Sequence, residues 1–171
     1  ETLFTENKYP HQLFCMYDGK VKITHRGKNG KEKILRFTRQ QELLGLNAMF
    51  TNDPYQITAT AIKESHVCHI SKQAFLRSLA ENSKFALTAL GLQSQHIKEL
   101  QKQVLSNAQK NSSQKVAGAL LLLHEIFGVE ENTNFSNVSL SRSEIGDFAG
   151  VATETAIRTL SEFHRSEFIL L

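Results

Sequence analysis

The apolar residues of this chain change period at Ser71, from about two before it to between three and four after it. A strand repeats its faces every second residue and a helix about every 3.6, so the chain must fold as a β segment followed by a helical one. Before the change, "LFCMYDGKVKITH" (13–25) alternates around an Asp-Gly pair, "EKILRF" (32–37) is a short strand, and "GKNG" (27–30) between them is a turn cluster. "YQITATAIKESHVCHIS" (55–71) supplies two more strand-like runs parted by Lys63, Glu64 and Ser65. Short strands joined by Gly, Asn and Asp turns predict a β-roll, barrel or sandwich.

Beyond Ser71, apolar residues recur at Phe85, Leu87, Leu90, Ile97, Leu100 and Val104, over a stretch longer than an average helix. Leu90, Ile97 and Val104 are spaced by sevens on an otherwise polar surface of Gln93, Gln95, Lys98, Gln101 and Lys102. Such a stripe needs a partner; a twin helix in a dimer is one solution, and the chain's own β segment is the other. "NSSQK" (111–115) offers an N-cap serine to the apolar helix "VAGALLLLHEIFG" (116–128), which ends at Gly128. The acidic, Asn-rich "VEENTNFSN" (129–137) reads as a loop before the short run "VSLS".

The segment "SRSEIGDFAGVATETAIRTLSEFHR" (141–165) then reads as two short helices with almost nothing between them. Ser141 or Ser143 can cap the first, and Glu144 stands at capping-box distance from Ser141. Ile145, Phe148 and Ala149 form its apolar face, Gly146 allows a neighbouring backbone to approach, and Gly150 ends it by accepting positive φ. Thr153 is expected to cap the second helix, whose inward stripe is Ala156, Leu160 and Phe163. That tight connection is the geometry of a helix-turn-helix. Thr153, Glu154, Ile157, Arg158 and Ser161 then face outward, where Arg158 could pair with guanine O6/N7, Glu154 with cytosine N4 and Ile157 with a thymine methyl. Thr153, Thr155 and the free N–H groups of the helix start could hold a phosphate, with Arg142 and Ser143 as further DNA contacts. A plain αα-hairpin with a solvated outer face is the competing reading.

Charge alone does not decide between them. The chain carries a net charge of +3, which permits an anionic partner. Residues 136–171, however, set Arg142, Arg158 and Arg165 against Glu144, Asp147, Glu154, Glu162 and Glu167, a mildly acidic balance. No run approaches the roughly 20 apolar residues of a membrane span, "ETLFTENKYP" lacks a signal-peptide pattern, and with Glu1 rather than Met first the chain reads as starting inside a domain. Cys15 and Cys68 form no CxxC, which indicates neither a disulfide framework nor a metal site and suits a cytoplasmic protein. His66, Cys68 and His69 alternate across a strand and read as ordinary strand residues. "GKNGKEK" lacks P-loop spacing and reads as a solvated turn, and no catalytic motif is marked, so no enzyme is expected.

With these motifs in place, the chain resembles the Crp/Fnr family of bacterial transcription regulators. The likeness rests on "EIGDFAGVATETAIR" and, in the β segment, on "MYDGKVKI", "GKEKILRF" and "LLGLNAMF". It implies an α+β fold: an N-terminal double-stranded β-roll like cyclic-nucleotide-binding domains over 1–82, a dimerisation helix over 83–110 with Leu90, Ile97, Leu100 and Val104 at its interface, and a winged helix-turn-helix over 111–171. It further implies a homodimer on a near-palindromic duplex, base contacts by Glu154 and Arg158, tuning by Thr153 and Ile157, and RNA polymerase as a partner. The wing should follow the second helix, but the chain ends at "FILL", so the wing is expected to be truncated; Thr159, where the family usually has an apolar residue, suggests looser packing. Members that bind cyclic AMP carry a Gly-Glu pair and then an Arg-Ser pair. Here Gly45 and Phe50 remain, while Leu46 takes the glutamate's place and Gln56 and Ile57 stand where Arg-Ser would lie. A buried phosphodiester without a cation is costly, so cyclic AMP is not expected to be a ligand. A retained effector cavity would be lined by Leu44, Gly45, Leu46, Met49, Phe50, Gln56 and Ile57, and would suit an apolar effector, haem or no ligand; no cofactor or metal is expected. The alternative function is a β-roll sensor whose helical end makes protein contacts.

Overall fold

The computed structural model describes residues 1–27, 30–38, 42–128 and 138–170. The loop expected at 129–137 and part of the 27–30 turn lie outside the described residues. Among the described residues seven strands come first: β1 (Thr2–Phe4), β2 (Gln12–Asp18), β3 (Val21–Arg26), β4 (Glu32–Phe37), β5 (Leu43–Leu44), β6 (Thr58–Ala61) and β7 (His66–Ser71), with a short helix α1 (Leu46–Thr51) before β6. They form two antiparallel sheets, ordered β1-β6-β3-β4 and β5-β2-β7. Phe14, Met16 and Leu44 from the smaller sheet meet Phe4, Val21, Ile23 and Ala59 from the larger, with Tyr55 stacked on Phe4, so the β-roll is two layers closed on one apolar core.

The Asp18-Gly19 pair does not close a hairpin within one sheet, because β2 and β3 part there into different layers. Gly19 has φ +96°, and a Cβ on it would lie 2.2 Å from Ser65 Oγ and 2.5 Å from Ser65 Cα. The crossing therefore needs a residue with neither side chain nor negative φ. Ser65 closes it by accepting from the Lys20 N–H at 3.2 Å.

Five helices follow among the described residues: α2 (Lys72–Glu81), α3 (Ser83–Gln109), α4 (Ser112–Phe127), α5 (Arg142–Ala149) and α6 (Thr153–Arg165). The period-3.6 stretch is thus two helices, broken at Asn82, whose side chain accepts from the Phe85 N–H and starts α3 afresh. Phe75 on α2 and Phe85 on α3 pack with Leu13, Leu46 and Met49 on the back of the smaller sheet. Past that anchor α3 is largely exposed, including Leu90 (62 %), Ile97 (53 %), Leu100 and Val104. Asn111 and Gln114 form a capping box that begins α4, so the cap is Asn111 rather than a serine.

The helical end is seated on the roll. Ile34 and Phe37 of β4 share a cluster with Leu123 and Phe127 of α4, and the Phe37 ring contacts both Phe127 (centroids 5.0 Å apart, near-perpendicular) and Phe148 of α5 (5.4 Å). Val116, Ala119, Ala149 and Leu160 form a second cluster inside the helical end. Residues 166–170 turn back on α6, with the Phe168 N–H donating to the Phe163 carbonyl and the two rings in contact.

Candidate nucleic-acid interface

Helix α5 starts with the reciprocal cap that its sequence suggests. Ser141 Oγ accepts from the Glu144 N–H at 3.2 Å, and Glu144 Oε2 accepts from the Ser141 N–H at 2.9 Å. The second bond, aided by the Ser141 hydroxyl and Lys22, holds the Glu144 carboxyl below its ordinary range against the opposing effect of burial. Gly150 ends α5 at φ +68°, and the Val151 N–H returns to the Gly146 carbonyl. A Cβ on Gly146 would lie 3.3 Å from both the Ala156 Cβ and the Val151 carbonyl oxygen, so the hydrogen at this position lets α6 cross close over α5.

The cap expected of Thr153 is a correction: Ala152 is the N-cap of α6 and supplies no side-chain bond, and Thr153 is the first helical residue. Its Oγ1 lies instead 3.4 Å from Ser143 Oγ on α5. Cross-helix contact competes for the hydroxyl, and it ties the two helix starts together. Ala152, with only a methyl side chain, gives the first N–H groups of α6 no capping bond.

Ala156 and Leu160 are wholly buried and Phe163 partly so, while Glu154, Ile157 (42 %), Arg158 and Ser161 are exposed on the other side. Glu154 and Arg158, four residues apart, project as neighbours. Thr153, Thr155 and Ser143 are half-buried, and Arg142 is exposed at the start of α5. Ser161 donates its hydroxyl proton to the Ile157 carbonyl, which leaves its oxygen to accept. Thr159 is 2 % exposed, a polar residue buried next in sequence to Leu160.

The β-roll brings two cations to this end, Lys31 from "GKNGKEK", whose sequence reads as a solvated turn, and Lys22 from β3. Lys31 Nζ donates to Ser143 Oγ at 3.2 Å, and Lys22 Nζ lies 3.8 Å from Glu144. Lys31, Ser143 and Thr153 thus run in a chain to the first turn of α6. Basic residues in "GKNGKEK" were the only available signal; the pairing spans 112 positions and follows from how the two parts dock.

The seven residues expected around an effector are spread over two apolar clusters and the surface. Leu44 belongs to the core between the sheets, Leu46 and Met49 to the cluster behind the smaller sheet, and Ile57 packs at the edge of the first. Gly45 (φ +89°) sits against the Tyr55 ring, Gln56 is exposed with its carbonyl accepting from His25 Nδ1, and Phe50 is half-exposed. Phe50 lines a surface pocket of about 210 Å³ with Leu79, Ala86, Ala89, Leu90 and Gln93. A second pocket of the same size lies where the roll meets α4 and α5, between Lys22, Phe37, Lys63, Phe127 and Glu144.

Comparison with known proteins agrees with this layout. The family described as "Cyclic nucleotide-binding domain" matches residues 1–82, and the "Crp-like helix-turn-helix domain" matches 114–170. The chain belongs to the Crp/Fnr family. The transcriptional activator protein Anr of Pseudomonas protegens is 26 % identical over 170 residues, covering 99 % of this chain and 69 % of the relative. The CRP-like cAMP-activated global transcriptional regulator of Mycobacterium tuberculosis is 24 % identical over 171 residues, covering 99 % and 76 %. Among solved structures, the c-di-GMP-responsive global regulator CLP of Xanthomonas campestris superposes with a TM-score of 0.81 at 18 % identity, over all of this chain and 86 % of that one. As a Crp/Fnr protein the chain is a DNA-binding transcription regulator, its β-roll joined to a helix-turn-helix. No helix among the described residues is long and apolar enough to cross a membrane.

Proposed function

We propose that this Crp/Fnr regulator acts as a homodimer on a near-palindromic duplex, with α6 in the major groove. The observation that carries this reading is the division of α6: Ala156 and Leu160 wholly buried, Glu154 and Arg158 exposed side by side. Arg158 takes a guanine edge, Glu154 a cytosine amine and Ile157 a thymine methyl. Thr153, Thr155, Ser143, Arg142 and the uncapped N–H groups of α6 hold phosphate, and Lys31 supplies there the cation that the acidic balance of residues 136–171 lacks. Ser161 accepts at the groove edge.

Residues 1–82 serve as sensor, 83–110 as dimer helix and 111–171 as DNA-binding domain. The exposed stripe of Leu90, Ile97, Leu100 and Val104 supports pairing of α3 with its twin, which sets two recognition helices about 34 Å apart. Cyclic AMP is not the effector: Leu46, at the place of the family's glutamate, is 4 % exposed inside an apolar cluster. Contact with RNA polymerase, a cytoplasmic site of action and the lack of an enzymatic role complete the reading.

Binding of a randomised duplex library at several salt concentrations tests it. A DNA reader selects a two-fold-related sequence and loses affinity linearly in log salt. Absence of both effects would favour a sensor whose helical end contacts protein.

A further inference from the structure

The register of β2 against β7 sets Cys15 directly opposite Cys68. Facing residues of an antiparallel pair have Cα atoms about 4.5–5.5 Å apart and side chains on the same side of the sheet. A disulfide takes Cα separations of about 4.4–6.8 Å, so the strands need not move for the two sulfurs to bond. Alternation along the strands puts the pair on the face of Leu13 and Ile70, away from Phe14, Met16 and Val67 in the core between the sheets. Both thiols are free, Cys68 exposed and Cys15 half-buried. A small oxidant reaches them without unfolding the roll.

We propose that Cys15 and Cys68 form a cross-strand dithiol, a modification site that hydrogen peroxide closes to an intramolecular disulfide. The Cys68 sulfur, as the more exposed, attacks one peroxide oxygen; the O–O bond breaks, the departing oxygen leaves as water with the thiol proton, and Cys68 becomes a sulfenic acid. The Cys15 sulfur then attacks the sulfenic sulfur, the S–O bond breaks, and the hydroxyl leaves as a second water with the Cys15 proton. Two thiols and one peroxide become one disulfide and two waters, the sulfurs giving up two electrons to the peroxide. The bridge fixes β7 to β2 at the strand that leads into α2 through the Ser71 cap.

The reduced chain, treated with stoichiometric peroxide, is read by intact mass, peptide mapping and a non-reducing gel. Closure removes two hydrogens from the mass, yields a peptide pair linked through Cys15 and Cys68, adds no dimer band and reverses with dithiothreitol. Cys15→Ser and Cys68→Ser each abolish that internal link. The same treatment in urea, where the long intervening chain separates the thiols, closes more slowly. Oxygen added to separate cysteines without closure, a link found only between chains, or closure in urea as fast as in the native protein overturns the proposal.

Discussion

At the residue scale, Arg158 and Lys31 should separate by the kind of loss each causes. Arg158→Ala is expected to cost about 1–3 kcal/mol on the preferred duplex and to relax one base position. Lys31→Ala should instead weaken all duplexes alike and reduce the salt slope by about one. Titration of both variants against matched and mismatched sites checks the pair, and equal loss of base discrimination in both would break the assignment. Glu144 makes a pH prediction. Its carboxyl titrates below the ordinary 4.5 in the folded chain, so the stabilisation is complete above that value and disappears as pH falls through the lowered one. The thermal midpoint of wild type should exceed that of Glu144→Gln at neutral pH and converge with it in acid. The carboxylate is 38 % exposed, which limits the difference to about 0.2–1 kcal/mol. Periodicity was enough to separate Glu154 and Arg158 from Ala156 and Leu160, because one helix obeys a local rule. Thr153 and Lys31 escaped it: the hydroxyl of one and the ammonium of the other are claimed by Ser143, which no local rule brings near.

At the element scale, the crossing of α5 and α6 depends on the space above Gly146. Gly146→Val should overpack against Ala156 and the Val151 carbonyl, a backbone atom that cannot rotate aside, at a cost of about 1–3 kcal/mol. A fall in thermal midpoint together with lost duplex binding is the expected result; unchanged stability would mean that the helices do not cross this closely. The two helices were readable because Ser141, Glu144, Gly146 and Gly150 each mark one position by its chemistry. The break between α2 and α3 was not, since apolar positions continue through Leu79 and Phe85 on either side of Asn82 and only the side-chain cap divides them. Nor could the Asp18-Gly19 pair disclose that its strands separate into two sheets, which the approach of Ser65 to Gly19 requires.

At the scale of the whole molecule, α3 presents its stripe to solvent for most of its length. Ile97→Glu should convert a dimer to a monomer in sedimentation and lower affinity for a two-fold site by about 10²-fold or more, since the second half-site is no longer tethered. A dimer that survives the change would place the interface elsewhere. The order of roll, long helix and helix-turn-helix was legible in the sequence, whereas the packing of Leu44, Leu46 and Met49 into two separate clusters was not, because apolar residues look alike whether they fill a core or line a cavity. Phe37 carries one more consequence. Lys110 and Asn111 separate α3 from α4, and α4, at 16 residues, is about 24 Å long. Rotation by about 5° at that joint swings Phe127 by about 2 Å, further than ring-to-ring dispersion can stretch. A tilt of that size would therefore part the Phe37 ring from Phe127, so the seat of the helical end on the roll depends on how α4 leaves α3.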